Sequence, residues 1–530
     1  MTNHVKRLLL IGFLAIFTFG IGFSVEAADS KANAPKPALT KESDEMSTTG
    51  KVGNGNEETP GEWYLGDVPG SPVPNAPVIL FVPGLNNVAQ VFWEDNDMYE
   101  TALNAGYQTA FIQLHDAGGA SADMWDNGEL LAEKIEEISS HFDRRPITVV
   151  AYSKGGVDTQ TALTYYGAWE YVDNVITLSS PHHGAQLADL AYSSWAGWIA
   201  DLIGAQGDGT YSLQMANMEN FRTQVDNEPI AYHNNYYTLA GTDWGSIFSS
   251  TWLGGMYLSQ FGSNDGVVTT NSSRLSGGEE ITIGDWNHTS IRTGATFPVF
   301  EDYLMGQQQE LDTSFSSSDY VEKNTPATNQ WVHGGPLMEG DANELSLAVE
   351  DGVKNVSLHL MSANKVSNIT LVDPAGNEIA PKVHSNVNKD GVFAGAISHY
   401  LIIDEPAPGE WSIKLDTKYD DAYLLVADFT ADSIIIRNEM SDSAAMLQSN
   451  YYFEVDQKQV QGDTVKATYR VTESSNPENS TIYTTSGLHL SEILEFDRPN
   501  EVYNITIDVE GRTKTGEVFK RTIIDSVYAD

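Results

Sequence analysis

Residues 147–157 read Ile-Thr-Val-Val-Ala-Tyr-Ser-Lys-Gly-Gly-Val. The first half is a continuous apolar run, the pattern of a strand covered on both faces. Residues 155–166 then have the length and spacing of a helix. Ser153 must therefore stand on the sharp turn between them. Ala151 and Gly155, two positions to either side, are small, as a turn that brings the two sides together requires. Gly156 lets the helix approach the strand. Such a turn lifts the serine hydroxyl above the edge of a sheet, at a helix N-terminus whose dipole favours negative charge. Ser153 is the candidate nucleophile.

The flanking sequence repeats the same rhythm. Residues 77–82, 107–114, 172–178, 236–240 and 281–283 read as strands. Residues 91–105, stopped by Gly106, and 129–138, with Leu130, Leu131, Ile135 and Ile138 on one face, read as helices. Alternating strands and helices predict an α/β fold with a mostly parallel central sheet.

After about residue 313 the period becomes two. Leu345, Leu347 and Val349 alternate with Glu344, Ser346 and Glu350. Trp411, Ile413 and Leu415 alternate with Ser412 and Lys414. Tyr503, Ile505, Ile507 and Val509 alternate with Asn504, Thr506 and Asp508. This predicts antiparallel sheets with one wet face, in two all-β, Ig-like sandwich units of about 100 residues each, split near Asp432.

The N-terminus reads as a secretory signal. Lys6 and Arg7 precede an apolar run, and Val25-Glu26-Ala27 offers small residues for cleavage after Ala27. The expected division is a signal peptide at 1–27, a disordered linker at 28–62, an α/β domain at 63–312, a linker at 313–330, and sandwiches at 331–431 and 432–530. The expected location is extracellular. The 530 residues hold no cysteine, which excludes disulfides, thiol catalysis and a lipid-modified cysteine. The formal net charge of −44 repels nucleic acid and anionic headgroups.

A serine nucleophile needs a base and an orienting acid. On this architecture they follow it in the order acid, then histidine. Asp265, in Gly-Ser-Asn-Asp-Gly-Val-Val, and His288, in Asp-Trp-Asn-His-Thr-Ser, occupy loops with that order. The rival bases are His115, His182, His183 and His233, and the rival acids Asp243 and Asp285. His182 and His183 lie in a Ser-Pro-His-His-Gly turn that suits a structural role. Asp285 stands too near His288 in sequence to orient it easily. A developing oxyanion needs two preorganised donors. The N–H of Lys154 is one. The N–H of Leu85, in the Pro83-Gly84-Leu85-Asn86 loop, is the other, with Gly84 allowing close approach.

Taken in order, Val-Pro-Gly-Leu-Asn, Ala-Tyr-Ser-Lys-Gly-Gly, Ser-Ser-Pro-His-His-Gly and the segment from Asn264-Asp265-Gly266 to Asn287-His288 resemble the bacterial triacylglycerol lipases of the α/β-hydrolase fold. The resemblance covers under half the chain. It implies a Ser153–Asp265–His288 triad with Leu85 and Lys154 as oxyanion donors. The usual His-Gly of the donor loop is Pro83-Gly84 here. The calcium ligand that many members carry two residues after the histidine is Ser290 here, so a structural calcium ion has no support at that position. The chemistry requires no cofactor.

The family places its lid between His183 and Tyr236. Leu187, Leu190, Trp195, Trp198, Ile199, Leu202 and Ile203 form an apolar helical face there. It suits either a mobile lid or a helix packed on the core. The resemblance implies a secreted serine hydrolase of lipid or other acyl esters. Polyester depolymerase, acyltransferase and amidase are rivals on the same triad, and an idle surface-binding protein is the reading from another class. For the C-terminal units the expected roles are attachment to a surface or polymer, or support of the first domain. Acyl chain length and oligomeric state stay open.

Overall fold

The run around Val149 becomes an inner strand of an eight-stranded sheet, in a computed structural model of the chain. The structure describes residues 34–40, 58–118, 121–305, 328–340, 343–389, 391–437 and 447–530. The signal peptide, its cleavage point and the linker over 313–327 lie outside the described residues.

The strands are β1 Ala38–Leu39, β2 Trp63–Leu65, β3 Val78–Val82, β4 Gln108–Ile112, β5 Ile147–Tyr152, β6 Val172–Leu178, β7 Asn235–Gly241 and β8 Glu279–Gly284. Their order across the sheet is β1-β2-β4-β3-β5-β6-β7-β8. From β4 to β8 every pairing is parallel, while β1 and β2 pair antiparallel at the edge. The expected linker at 28–62 is thus corrected: Ala38 and Leu39 pair with Leu65 and Tyr64 and extend the sheet.

The helices are α1 Met98–Asn104, α2 Met124–His141, α3 Gly155–Tyr165, α4 Gln186–Tyr192, α5 Gly197–Ile203, α6 Asp208–Ser212, α7 Met215–Val225 and α8 Ser250–Leu258. The helix expected over 91–105 is broken. Asp95 takes a φ of 52°, which an Asp tolerates but a helix does not, so only α1 survives. Conversely α2 starts earlier than expected, because the Asp123 carboxylate caps the N–H groups of Trp125 and Asp126. Leu131, Ile135 and Ile138 of α2 and Ala162 and Leu163 of α3 pack on Val78, Leu80, Ile147 and Val149 of the sheet.

The C-terminal region is all antiparallel. Its strands are β9 Gln330–Leu337, β10 Asn343–Val349, β11 Asn355–Ser362, β12 Asn368–Val372, β13 Glu378–Ile379, β14 His384–Val387, β15 Ile397–Asp404, β16 Gly409–Asp416 and β17 Asp421–Thr430. They form sheets β10-β16-β12-β13 and β14-β15-β11-β17-β9, which enclose one core including Leu347, Leu358, Trp411 and Leu425. There follow β18 Ile435–Arg437, β19 Gln448–Val455, β20 Lys466–Glu473, β21 Ser480–Ser486, β22 His489–Glu495, β23 Glu501–Arg512 and β24 Val518–Ala529. Sheets β18-β19-β22 and β21-β20-β23-β24 enclose a second core around Tyr451, Phe453, Tyr469 and Ile505.

The expectation of one wet face fails at β23. Ile505, Ile507 and Val509 point into the core, but Asn504 and Thr506 are also fully buried. They meet the α/β domain instead of water. Asn504 Nδ2 donates to the Asp189 carbonyl (2.8 Å), the Ser194 N–H donates to Thr506 Oγ1 (3.0 Å), and Trp195 Nε1 donates to Asp508 Oδ1 (3.1 Å). The polar side of this strand is a dry, hydrogen-bonded domain contact. Glu350 departs in the same way: it is buried and pairs with the fully buried Arg521. No helix among the described residues is long and apolar enough to cross a membrane.

Candidate active site

The turn after β5 holds Ser153 at a φ of 54°, a left-handed conformation that costs a non-glycine residue energy and is kept only where surroundings enforce it. Those surroundings are tight. A methyl group on Gly155 would stand 2.4 Å from the Pro83 carbonyl oxygen, and one on Gly84 would stand 2.7 Å from Ser153 Cβ. Glycine at both positions lets the loop after β3 press against the elbow.

Ser153, Asp265 and His288 are brought together at the C-terminal edge of the parallel strands, after β5, β7 and β8 respectively. His288 Nε2 lies 3.0 Å from Ser153 Oγ, and His288 Nδ1 lies 2.7 Å from Asp265 Oδ2. The second oxygen, Asp265 Oδ1, accepts the N–H groups of Val267 (2.9 Å) and Val268 (2.8 Å). The His288 N–H in turn donates to the Asp265 carbonyl at 2.9 Å. All three residues are buried, with the Ser153 exposure at 8%. Against the imidazole lies the ring of Tyr152, centroid to centroid 4.9 Å.

Lys154 follows Ser153 as the N-cap of α3, and Leu85 lies in the loop after β3, whose Gly84 abuts the Ser153 side chain. Among the described residues neither backbone N–H has a hydrogen-bond partner, although both residues are buried. The rival groups have other occupations. His182 is wholly buried, with its ring on Thr177 Oγ1, and burial drives its pKa well down. Burial, then the Arg222 charge, lowers His183 to about 4. The His233 ring stacks edge-on against Trp169, and the His115 N–H bonds Asn127. Asp243 is half-buried, bonding Trp286 through its N–H, while Asp285 is exposed. Ser290 closes a turn with Asn287: its hydroxyl accepts the Asn287 N–H at 3.0 Å, and Asn287 Oδ1 accepts the Ser290 N–H at 2.9 Å.

Two groups of residues at the site were not singled out from sequence. The first is a buried polar set of Asp116, Asn127 and Asp158 around the Lys154 side chain. The second comes from the C-terminal region. The cavity beside His288 is walled by Leu187, Leu190, Leu253, Tyr257 and Val267 of the α/β domain, and by Met361, Val392 and Phe393 of the sandwich. Val392 and Phe393 are buried in one continuous apolar cluster with Leu187, Leu190 and Leu253. The expected lid face is covered in part. Leu190 and Ile199 are buried, and the Trp195 ring stacks on His333 of β9 at 4.4 Å. Trp198 and Leu202 remain exposed at 56% each.

A parallel sheet that raises a Ser–His–Asp chain at its C-terminal edge defines an α/β-hydrolase. No family model matches the sequence. The chain is similar to a Bacillus licheniformis lipase, BlEst2, solved in propeptide form: 36% identity, 89% of this chain and 98% of that one, TM-score 0.74. The mature form of the same lipase is 48% identical over 47% of this chain and 99% of its own, with a TM-score of 0.44. Triacylglycerol lipase 2 of Saccharomyces cerevisiae is 26% identical over 164 residues, 30% of this chain, which spans 50% of the length of that protein. The chain belongs to the bacterial lipase family of the α/β-hydrolase fold, a family of carboxylic-ester hydrolases.

Proposed function

We propose that this chain is a secreted serine hydrolase of acyl esters, held in a covered form by its own C-terminal domains. The observation that carries the reading is the unbroken line Ser153 Oγ, His288, Asp265, at 3.0 and 2.7 Å. His288 takes the hydroxyl proton as Ser153 attacks the ester carbonyl. The Leu85 and Lys154 N–H groups hold the oxyanion. The proton passes to the departing alcohol, and water then releases the acyl group from Ser153 by the reverse steps. Apolar walls beside His288 favour an acyl chain over a polar substituent.

The covered form rests on Met361, Val392 and Phe393, which stand where such a chain would lie. The Bacillus licheniformis relative, solved in its propeptide form, matches this chain across both regions. The C-terminal domains thus serve as the covering segment rather than as a surface anchor.

Labelling with a long-chain alkyl fluorophosphonate tests the reading. The chain has no cysteine to compete for the probe. The folded wild type is expected to label slowly, Phe393→Ala faster, and Ser153→Ala not at all. Absence of labelling in both wild type and Phe393→Ala, or equal labelling of Ser153→Ala, would overturn it.

A further inference from the structure

Lys154 is fully buried with its ammonium group, yet the mechanism uses only its backbone N–H. Its Nζ donates to Asp158 Oδ1 at 2.7 Å and lies 3.9 Å from Asp116 Oδ2. Asn127 Nδ2 bridges the two carboxylates, 2.6 Å from Asp116 Oδ2 and 3.1 Å from Asp158 Oδ2, while Asn127 Oδ1 accepts the His115 N–H at 3.1 Å. Asp116 Oδ1 accepts the Asn86 N–H at 3.0 Å. All four side chains are at most 1% exposed. Burial pulls the Lys154 ammonium down, but the Asp158 and Asp116 carboxylates outweigh it and hold the group charged. Burial pushes Asp158 up to about 7 against the pull of Lys154.

Burying two carboxylates and an ammonium is a poor route to stability, since an apolar set of the same shape often does as well. What the set achieves is a connection. One end is the side chain of Lys154, whose N–H faces the oxyanion position. The other end grips the N–H of Asn86, the residue after Leu85. Asn86 sits at a φ of 55°, and the Asn87 side chain ties back to the Leu85 carbonyl at 3.0 Å. The donor loop, which here has Pro83 before Gly84, is therefore fixed from beneath by Asp116.

We infer that Asp116 and Asn127 are positioning residues that set the distance between the two oxyanion donors, Leu85 N–H and Lys154 N–H. The inference rests on the acyl-transfer reading above. Preorganised donors are worth most when nothing has to reorganise during reaction, and loss of one costs about 10²–10³ in kcat in enzymes of this chemistry. Misalignment of one should cost less.

The experiment compares Asp116→Ala, Asp116→Asn and Asn127→Ala with the wild-type full chain. p-Nitrophenyl acetate is the substrate, because its two-carbon acyl group needs little of the covered cavity. Asp116→Ala is expected to lower kcat about 10- to 100-fold with KM within about twofold. Affinity for a trifluoromethyl ketone, which captures Ser153 as a tetrahedral oxyanion, should fall by a similar factor. Amide exchange over 84–88 should quicken. Asp116→Asn keeps an oxygen for the Asn86 N–H but turns an amide toward that of Asn127, so its loss should be smaller. Unchanged exchange over 84–88 in Asp116→Ala and Asn127→Ala overturns the inference. So does a fall in kcat that leaves ketone affinity intact, which marks a merely structural role. Absence of fluorophosphonate labelling in both the wild type and Phe393→Ala overturns the ester-hydrolase reading instead, and the exchange data still decide whether Asp116 holds the loop.

Discussion

Asp265→Asn is expected to lower kcat by about 10⁴-fold while leaving the fold and KM nearly unchanged. The reason lies in the three hydrogen-bonding partners of the Asp265 carboxylate. Its Oδ1 accepts two backbone N–H groups, from Val267 and Val268, and its Oδ2 faces His288 Nδ1. An asparagine must keep its one oxygen toward the two N–H groups, since an amide NH₂ turned there would leave three buried donors facing one another. Its NH₂ then faces His288 Nδ1, which must become an acceptor. The imidazole proton is forced onto Nε2, the atom 3.0 Å from Ser153 Oγ. A histidine with a proton there cannot accept one from serine. The substitution is nearly isosteric and keeps the loop bonds, so thermal unfolding should shift little. Michaelis–Menten kinetics on p-nitrophenyl acetate, with Tm measured alongside, checks this. A loss below about tenfold at unchanged Tm would mean that Asp265 does not set the tautomer of His288.

How much of this was legible from sequence follows from how far apart the interacting groups are. The strands β3 and β5 are buried on both faces, so they read as near-continuous apolar runs and fell within a residue of expectation, and β6 did so through its Val-Ile-Thr-Leu half. Edge strands β1 and β2, of two and three residues, left no such run. Ser153 was legible because strand, turn and helix are contiguous. Asp265 and His288 were legible through chain order and loop composition, but their meeting depends on β7 and β8 lying next to each other. The Asp116 set left no readable trace. Its partners at 86, at 127 and at 154 and 158 lie on three different segments, and a lone Asp after a strand reads as a surface loop. The covering of the site was half legible. Period-two alternation in β23 predicted which residues face the sandwich core, but Asn504 and Thr506 satisfy a polar partner as readily as water. The better signal was β17. Its Ala-Tyr-Leu-Leu-Val-Ala run is buried on both faces, which an antiparallel strand with one wet side has no reason to be.

That second buried face leads to the other large effect. Val392→Ala/Phe393→Ala in the full chain is expected to raise hydrolysis of p-nitrophenyl palmitate by about 10²-fold, and of the acetate by far less. Phe393 is 6% exposed and packs in the cluster that includes Leu187, Leu190 and Leu253. Truncating a buried Phe removes about 3–5 kcal/mol of packing, and each 1.4 kcal/mol is about a factor of ten in an equilibrium. Much of that loss should appear as easier displacement of the 391–396 loop by an acyl chain. The loop can yield without unfolding: Gly391 sits at a φ of 78°, and the turn is closed by its own Ala394–Gly391 and Gly395–Asn388 hydrogen bonds. The domain itself stays in place, because β9 holds it away from that loop: Gln330 Nε2 donates to the Met256 carbonyl at 2.9 Å and His333 stacks on Trp195. A long acyl chain needs the space that Phe393 fills, whereas an acetyl group does not, so the ratio of the two rates separates an unplugged pocket from general loosening. Equal gains on both esters would show that the domain had detached, and no gain on the palmitate would show that the acyl chain takes another path past His288.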